Sequence, residues 1–148
     1  MPVNPNLVDV VFDPVASYHV GREKIREFAA ATLVTDLQLT DVDVAKARGY
    51  ADIVAPPTFP IVIQEKTLAQ LLAYPGSGID FSKVVHGDQQ FEYSRPIVAG
   101  DELIATLSVT KVQSLGGHSM VTSESVMTTL SGEHVVTASS TLVVRGDA

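Results

Sequence analysis

The stretch that decides the fold runs Ala55-Pro56-Pro57-Thr58-Phe59-Pro60 and continues as Ile61-Val62-Ile63-Gln64-Glu65-Lys66 to Ala73. A residue that precedes proline is pushed out of the helical region, so the first part of this stretch is extended. Thr58 then offers a capping hydroxyl, and Pro60 is tolerated in a first helical turn. The pattern predicts a helix, although residues 61–63 alone would also fit a buried strand.

Apolar side chains surround nearly the whole circumference of this predicted helix. They are Phe59, Ile61, Val62 and Ile63, continued as one stripe by Leu68, Leu71 and Leu72. A helix that is apolar on all sides is normally buried. The stretch therefore predicts a central helix that other elements must cover.

Beyond Gly78 the apolar residues recur at every second position, which predicts β-strands. The first runs over 81–94 and places on one face Val85, Gly87, Gln89, Phe91 and Tyr93. Further strands are expected from Leu103 to Val109, over 118–130 and over 134–144, with glycine-containing turns between them. Short strands around Val8 to Phe12 and Ser17 to Val20 would complete the edge.

Upstream, the spacing predicts an amphipathic helix over 21–32 and a short helix from Asp41 or Val42 to Arg48. Four successive antiparallel strands that follow one buried helix are best arranged by wrapping the sheet around it. We therefore expect an α+β fold, with a long central helix inside a curved antiparallel sheet. Residues 1–148 are expected to form a single domain.

Composition excludes several classes of protein. The net charge is −7 and the basic residues are scattered, which argues against nucleic-acid binding. The chain has no cysteine, so disulfides and thiolate chemistry are excluded. No metal-ligand spacing, secretory signal or membrane-spanning stretch is visible, so we expect no metal, no membrane association and a cytoplasmic location.

Three stretches carry a family resemblance. They are 18–29 (YHVGREKIREFA), 54–59 (VAPPTF) and 84–93 (VVHGDQQFEY), the last followed by Arg95-Pro96 and Ala99-Gly100-Asp101. With these motifs in this order, the chain resembles the N-terminal MaoC-like dehydratase family. It is most similar there to an actinobacterial group that resembles non-catalytic subunits of heterodimeric (3R)-hydroxyacyl-ACP dehydratases. The resemblance implies the hot-dog fold.

The resemblance also implies a chemistry, the reversible dehydration of a 3-hydroxyacyl thioester without a cofactor. A histidine removes the α-proton, an aspartate orients the water or hydroxyl, and a backbone N–H at the start of the hot-dog helix polarises the carbonyl. Active members carry Asp-x-Asn-Pro-x-His and Ala-His-Gly segments. In this chain only Asp36 matches the Asp-x-Asn-Pro-x-His segment, and the position of its histidine is taken by Asp41 or by a gap. Ala55-Pro56-Pro57 stands in place of Ala-His-Gly.

Candidate site residues follow from this alignment. Asp36 and His86 are candidate catalytic groups, with a solvated loop carboxylate and a structural histidine as the respective alternatives. The candidate substrate-binding residues are Pro57, Thr58, Phe59, Gln89 and Phe91. For the alternating row that includes Gln89 and Phe91, the alternative is simple packing against the helix. Proline has no N–H, so an oxyanion donor would have to come from Thr58 or Phe59.

Three hypotheses for function remain open. The first is an acyl-chain-binding, non-catalytic or weakly catalytic subunit that pairs with a catalytic hot-dog subunit and contacts an acyl-CoA or acyl-ACP. The second is a competent homodimeric (R)-specific enoyl-CoA hydratase that uses Asp36, Asp41 or His86 as the base. The third is a structural dimer without acyl ligand, its cleft filled by side chains such as Phe59 or Tyr93. An exposed sheet edge makes a dimer the physical expectation in each case.

Overall fold

The computed structural model describes residues 2–147. In chain order its helices and strands are β1 (Tyr18–His19), α1 (Arg22–Ala31), α2 (Val42–Ala47), α3 (Ile61–Ala73), β2 (Val84–Tyr93), β3 (Glu102–Leu115), β4 (His118–Thr129) and β5 (His134–Val144). Short 3-10 helices span Pro5–Asp9, Leu37–Leu39 and Phe81–Lys83. The α1, α2 and α3 helices and the four long strands lie where the sequence predicted them.

The strands form one antiparallel sheet in the order β1-β3-β4-β5-β2. The β3–β4 and β4–β5 pairs are hairpins, and the turns between them use Gly117 and Gly132 at positive φ. The last strand, β5, therefore lies between β4 and β2. This leaves β2, the strand that follows α3, along one edge of the sheet.

The core lies between α3 and the concave face of the sheet. Alternate residues of β3, β4 and β5 point inward and are buried; among them are Leu103, Ala105, Leu107, Val109, Val121, Met127, Val136, Ala138 and Leu142. Helix α3 contributes Ile63 and Leu71, both fully buried. The predicted α+β architecture, a helix enclosed by a curled antiparallel sheet, is confirmed.

The prediction that α3 is buried on all sides is wrong for the single chain. Glu65, Lys66 and Ala69 are exposed along one face of the helix. Two of the four buried positions, moreover, are the polar residues Gln64 and Thr67. Hydrogen bonds satisfy both side chains, which is what makes their burial tolerable.

The start of α3 also differs from the prediction. Thr58 does not cap the helix: Pro60 takes the N-cap position and no side chain bonds the first turn. The preceding residues form a turn instead, in which the Phe59 N–H donates to the Pro56 carbonyl at 2.9 Å. Because the prolines fix the backbone of this turn, regular helix begins only at Ile61.

The expected strand around Val8 to Phe12 is not formed. Pro5–Asp9 is a 3-10 helix whose first turn is capped by the Asn4 side chain, which accepts from the Asn6 N–H at 2.9 Å. An Asn cap before a proline favours this turn over extended backbone. The strand expected within Ser17 to Val20 is present as β1.

The alternation predicted for β2 is interrupted by a β-bulge. His86 pairs with Leu142 and Asp88 with Thr141, so Gly87 is the extra residue. A bulge shifts the pleat by one position, and the inner face therefore carries His86 with Gln89, Phe91 and Tyr93. The prediction that Val85 and Gly87 share that face is wrong.

Candidate active site

A cleft of about 410 Å³ opens beside the start of α3. Three segments meet there: the 3-10 helix after Asp36, the extended stretch before α3, and the end of β2. A backbone bond from the Val54 N–H to the Gln38 carbonyl, at 3.0 Å, holds the first two together. The lining residues are Gln38, Leu39, Tyr50, Val54, Ala55, Pro57, Tyr93, Ser94, Arg95 and Pro96.

The proline-rich turn beside this cleft leaves one backbone amide without an acceptor. Pro57 and Thr58 are exposed, whereas Pro56 is buried. The Phe59 N–H is used by the Pro56 carbonyl, and proline has no N–H. Among residues 2–147, no acceptor bonds the Thr58 N–H. Of the two amides considered as oxyanion donors, only that of Thr58 is free.

Tyr93 fixes the other side of the turn. Its hydroxyl donates to the Pro57 carbonyl at 2.7 Å, which connects the end of β2 to the start of α3. Burial raises the pKa of the Tyr93 phenol, so the group stays protonated and keeps donating. The cleft wall is thereby held in one position.

Asp36 lies at the start of the 3-10 helix that borders the cleft. Its Oδ1 accepts from the Gln38 N–H at 3.2 Å and from Arg48 Nη1 at 2.6 Å. The hydrogen bond from Arg48 is the main reason why the pKa of Asp36 is lowered. Asp36 is therefore an ionised carboxylate that can accept a hydrogen bond but has no proton to give.

The other acid considered as a base, Asp41, has a structural position. Its side chain caps α2 by accepting from the Asp43 and Val44 N–H groups. None of the cleft-lining residues is a histidine. The arrangement thus offers an N–H donor and a nearby carboxylate, but no imidazole among its lining residues.

Arg95 is a cleft residue whose role the sequence did not reveal. Its Nη1 and Nη2 bond both oxygens of Asp101, at 2.9 and 3.0 Å, and its Nε bonds Glu133 at 2.6 Å. Asp101 also accepts from the Val98 N–H at 2.9 Å. In the sequence, the short spacing between Arg95-Pro96 and Ala99-Gly100-Asp101 is the signal that could have indicated the ion pair between Arg95 and Asp101.

The predicted binding residues divide between the cleft and other places. Pro57 lines the cleft, and Thr58 is the exposed residue that follows it in the turn. Phe59 does not: its side chain is fully buried and packs edge-on against Phe28 and Tyr18. A substrate contact by the Phe59 side chain is therefore excluded in this arrangement, because the ring is enclosed by the core.

His86 and Gln89 lie further along β2, and within residues 2–147 Asp36 shares no hydrogen-bond partner with either. His86 Nε2 bonds Gln89 Oε1 at 3.1 Å, and Gln89 Nε2 donates to Gln64 Oε1 at 2.8 Å. About six strand residues, or roughly 20 Å, separate His86 from Tyr93 at the cleft. Phe91 lies between them, half-buried against the core.

A larger cleft, of about 640 Å³, lies at the other end of the molecule. It is bordered by the first residues of the chain, the loop after α3 and the end of β5. Its lysine, Lys83, is paired with Asp147 and lies 4.0 Å from Asp80. This lysine is thus used internally, and the family motifs do not reach the larger cleft.

Two further observations concern ligands. Within residues 2–147, no three His, Asp or Glu side chains come together in a way that could hold a metal ion. No helix in the same range has the length and apolar character to cross a membrane.

Known proteins match this chain over most of its length. Residues 6–138 match the family described as FAS1-like, dehydratase domain region. A UPF0336 protein of Leifsonia xyli subsp. xyli is 62% identical over 147 residues, which is 99% of either chain. Two solved structures that are similar to this chain carry the name dehydratase.

The HadBC (3R-hydroxyacyl-ACP dehydratase) complex of Mycobacterium tuberculosis contains a chain similar to this one. The two chains are 30% identical, with a TM-score of 0.79 over 90% of this chain and 92% of that chain. A MaoC-like dehydratase is 31% identical, with a TM-score of 0.83; the match covers 93% of this chain and 41% of that chain. The hot-dog fold expected from the sequence is confirmed.

Proposed function

Because the chain belongs to the FAS1-like dehydratase domain region family, we propose that it is an acyl-thioester-binding subunit of a (3R)-hydroxyacyl-thioester dehydratase, with little or no activity alone. The observation that carries this proposal is the composition of the cleft. Its lining includes Pro57, which precedes the unbonded Thr58 amide, and Gln38, whose N–H donates to Asp36, but no histidine.

The Thr58 amide supplies the binding half of the chemistry. It lies just before α3, whose N-terminal dipole favours negative charge, and it is free to donate to a thioester carbonyl. The acyl tail would continue along the apolar lining formed by Leu39, Val54 and Ala55. The carrier, CoA or ACP, would stay outside.

The proton-transfer half is missing from this cleft. Asp36 is ionised and paired with Arg48, so it is suited to accept a hydrogen bond from a water molecule or hydroxyl. The loss of a positioned base costs a factor of roughly 10² to 10⁴ in rate. A catalytic hot-dog partner would supply the histidine in its own cleft.

The open edge of β2 offers the means of pairing. Within residues 2–147, this ten-residue strand is bonded only to β5, so its other side presents unpaired backbone groups. An antiparallel strand from a second hot-dog subunit would satisfy them. HadBC, a complex by name, is similar to this chain and supports pairing as the arrangement to test.

The deciding experiment measures hydration of crotonyl-CoA by three samples: this chain, a candidate catalytic hot-dog subunit, and both copurified. We expect trace turnover by this chain and a stable complex whose activity exceeds that of the catalytic subunit alone. Inert samples that form no complex would overturn the proposal.

The free Thr58 amide also favours a second candidate, a competent homodimeric (R)-specific enoyl-CoA hydratase. The same assay separates the two. Robust turnover by this chain alone, lost in Asp36→Ala and kept in Asp43→Ala, would establish the hydratase. Asp43 is a suitable control because it is an exposed carboxylate on α2.

A further inference from the structure

Two polar side chains that line the cleft of about 410 Å³ have hydrogen-bonding groups that the protein itself does not use. The polar side chains of Tyr93, Ser94 and Arg95, which also line it, are each bonded to another part of the chain. Within residues 2–147, by contrast, no group bonds the Tyr50 hydroxyl, and no acceptor bonds Gln38 Nε2. These two groups are available to a ligand.

Tyr50 is placed at the cleft by the way in which α2 ends. Gly49 adopts a left-handed conformation with a φ of 95°, and its N–H donates to the Lys46 carbonyl at 3.0 Å. The Tyr50 N–H donates to the Ala45 carbonyl, also at 3.0 Å, which completes a Schellman motif. The Tyr50 ring packs against the core. Backbone and ring are thus both fixed, and the hydroxyl is the part of the residue that remains unused.

Gln38 is held at its backbone and at its side-chain oxygen. Its N–H donates to Asp36, and its carbonyl accepts from the Val54 N–H. Its Oε1 accepts from Arg48 Nη1 at 3.2 Å. Because a guanidinium group can only donate, the Gln38 oxygen must face Arg48. The NH₂ group of Gln38 is therefore turned away from Arg48 and keeps its protons for another acceptor.

Both unused groups are accessible from outside the protein. Among residues 2–147, the buried side-chain polar atom that lacks a hydrogen bond is Gln70 Oε1, at a distance from this cleft in the fold. The Tyr50 hydroxyl and Gln38 Nε2 lack hydrogen bonds without being buried in this way. A ligand in the cleft could therefore reach them without any rearrangement of the core.

The rest of the lining defines the kind of group that would bind. Of the lining residues within 2–147, only Arg95 is charged, and Asp101 and Glu133 neutralise it. The apolar part of the lining consists of Leu39, Val54, Ala55, Pro57 and Pro96. A few neutral polar groups among apolar walls suit an uncharged oxygen atom on an aliphatic chain. A hydroxyl oxygen has two lone pairs, so it can accept from both groups at once.

We propose that Tyr50 and Gln38 bind the 3-hydroxyl group of a 3-hydroxyacyl thioester and thereby select this ligand over thioesters that lack the hydroxyl. The inference rests on the proposed function, which assigns the thioester carbonyl to the Thr58 amide. The 3-hydroxyl is the next oxygen along the acyl chain beyond that carbonyl. Tyr50 and Gln38 are in this view residues that determine specificity, and neither transfers a proton.

The test compares two ligands that differ by this one hydroxyl. Calorimetry measures the affinities of (3R)-hydroxydecanoyl and decanoyl pantetheine thioesters for wild type, Tyr50→Phe and Gln38→Met. We expect wild type to prefer the hydroxy ligand. In each variant this preference should fall about three- to tenfold, the effect of one hydrogen bond. The affinity for the decanoyl ligand should stay unchanged, which a general loss of structure would not allow.

Two matched controls lie away from the cleft. Tyr74→Phe removes a phenol hydroxyl that also makes no hydrogen bond within residues 2–147, from a ring that packs edge-on against Phe12. Gln113→Met removes an exposed side-chain amide from β3. Both controls should keep the wild-type preference for the hydroxy ligand.

The outcomes separate this inference from the proposed function. If Tyr50→Phe and Gln38→Met weaken the binding of both ligands equally, or of neither, the two side chains do not recognise the hydroxyl and the inference is overturned. Wild type that binds both ligands with the same affinity would overturn it as well and leave the proposed function standing. Wild type that binds neither ligand, alone or with a catalytic subunit, would overturn the proposed function itself.

Discussion

At the scale of single residues, the turn before α3 shows how proline selects a donor. Prolines occupy positions 56, 57 and 60, and the Phe59 amide is taken by a carbonyl within the same turn. Only the Thr58 N–H remains for a ligand. The threonine hydroxyl makes no hydrogen bond within residues 2–147, so the backbone of this residue matters more than its side chain.

This distinction can be tested with two substitutions at one position. Thr58→Pro removes the amide proton, whereas Thr58→Ala removes only the hydroxyl. We expect Thr58→Pro to weaken binding of a 3-hydroxyacyl pantetheine thioester about tenfold, the effect of one lost hydrogen bond, and Thr58→Ala to bind normally. Calorimetric titration measures both affinities. Equal affinities in the two variants would mean that the amide does not contact the ligand.

The sequence predicted some residues of the site and not others, for a physical reason. Asp36, Pro57 and Thr58 could be named as candidates because motif and spacing place each of them in a local segment, and they stay predictions. Arg48 was not assigned to Asp36, since twelve residues separate them and only the packed loop brings them within 2.6 Å. Phe59 was assigned to the cleft wrongly, because periodicity does not distinguish a core ring from a tunnel wall.

At the scale of elements, β2 shows the limit of counting alternate residues. Helices and strands were predicted well because apolar periodicity persists over many positions. The bulge at Gly87 breaks that periodicity through a register shift against β5, which no local pattern encodes. As a result, His86 joins Gln89 on the inner face, and the hydrogen bond between them could not be foreseen.

The bulge should not tolerate a side chain. A Cβ at position 87 would lie 3.2 Å from Val143 Cγ2 and 3.3 Å from the Thr141 carbonyl oxygen. Since the second of these atoms belongs to the backbone of β5, relief requires the strands to move. We expect Gly87→Ala to lower the free energy of unfolding by about 1–3 kcal/mol in urea titrations. Gln90→Ala, on the exposed face of the same strand, should change it by less than about 0.5 kcal/mol.

The connection between α1 and the segment before α3 is electrostatic. Arg22 Nε and Nη2 bond the two oxygens of Asp52, at 3.0 and 2.8 Å. The hydrogen bond from Arg22 lowers the pKa of Asp52. A lowered carboxyl pKa contributes stability above the unfolded pKa, near 4, and this contribution is lost as the pH falls through the folded value.

Arg22→Ala should therefore make the stability less sensitive to acid. Urea titrations at a series of pH values should show a smaller decrease below about pH 4 than in wild type, because the folded-state pKa of Asp52 loses its largest lowering cause. Lys24→Ala is the control, since Lys24 only reaches the exposed Glu27 on the same helix, at 3.4 Å. If the free energy of unfolding falls with acid as steeply in Arg22→Ala as in wild type, this ion pair contributes nothing measurable to the pH dependence.

At the scale of the whole molecule, charge decides how readily two copies meet. Each chain carries a net charge of −7, so a homodimer would carry a net charge of −14, twice that of one chain. The outer face of β2 adds a local effect, because Asp88 and Glu92 alternate with Gln90 on the open edge. If two copies paired antiparallel along β2 with an axis near Gln90, Asp88 of one copy would lie opposite Glu92 of the other. Like charges directly opposite across two strands are destabilising.

Self-association should therefore be weak at low salt and should tighten as salt screens these charges, the reverse of what an attractive ion-pair interface would show. The double variant Asp88→Asn and Glu92→Gln should dimerise more tightly than wild type and lose most of the salt dependence that arises at the edge. Sedimentation equilibrium at about 0.05 M and 0.5 M NaCl measures both effects.

A control variant separates the local effect of the β2 charges from the effect of net charge. It carries Glu23→Gln and Glu27→Gln, which remove two charges from α1 instead. If the control variant tightens the dimer equally, the two copies contact each other through a surface other than β2. If only the β2 variant tightens it, the edge charges oppose self-association. A partner with basic residues on the matching strand would then bind this edge more tightly than a second copy does.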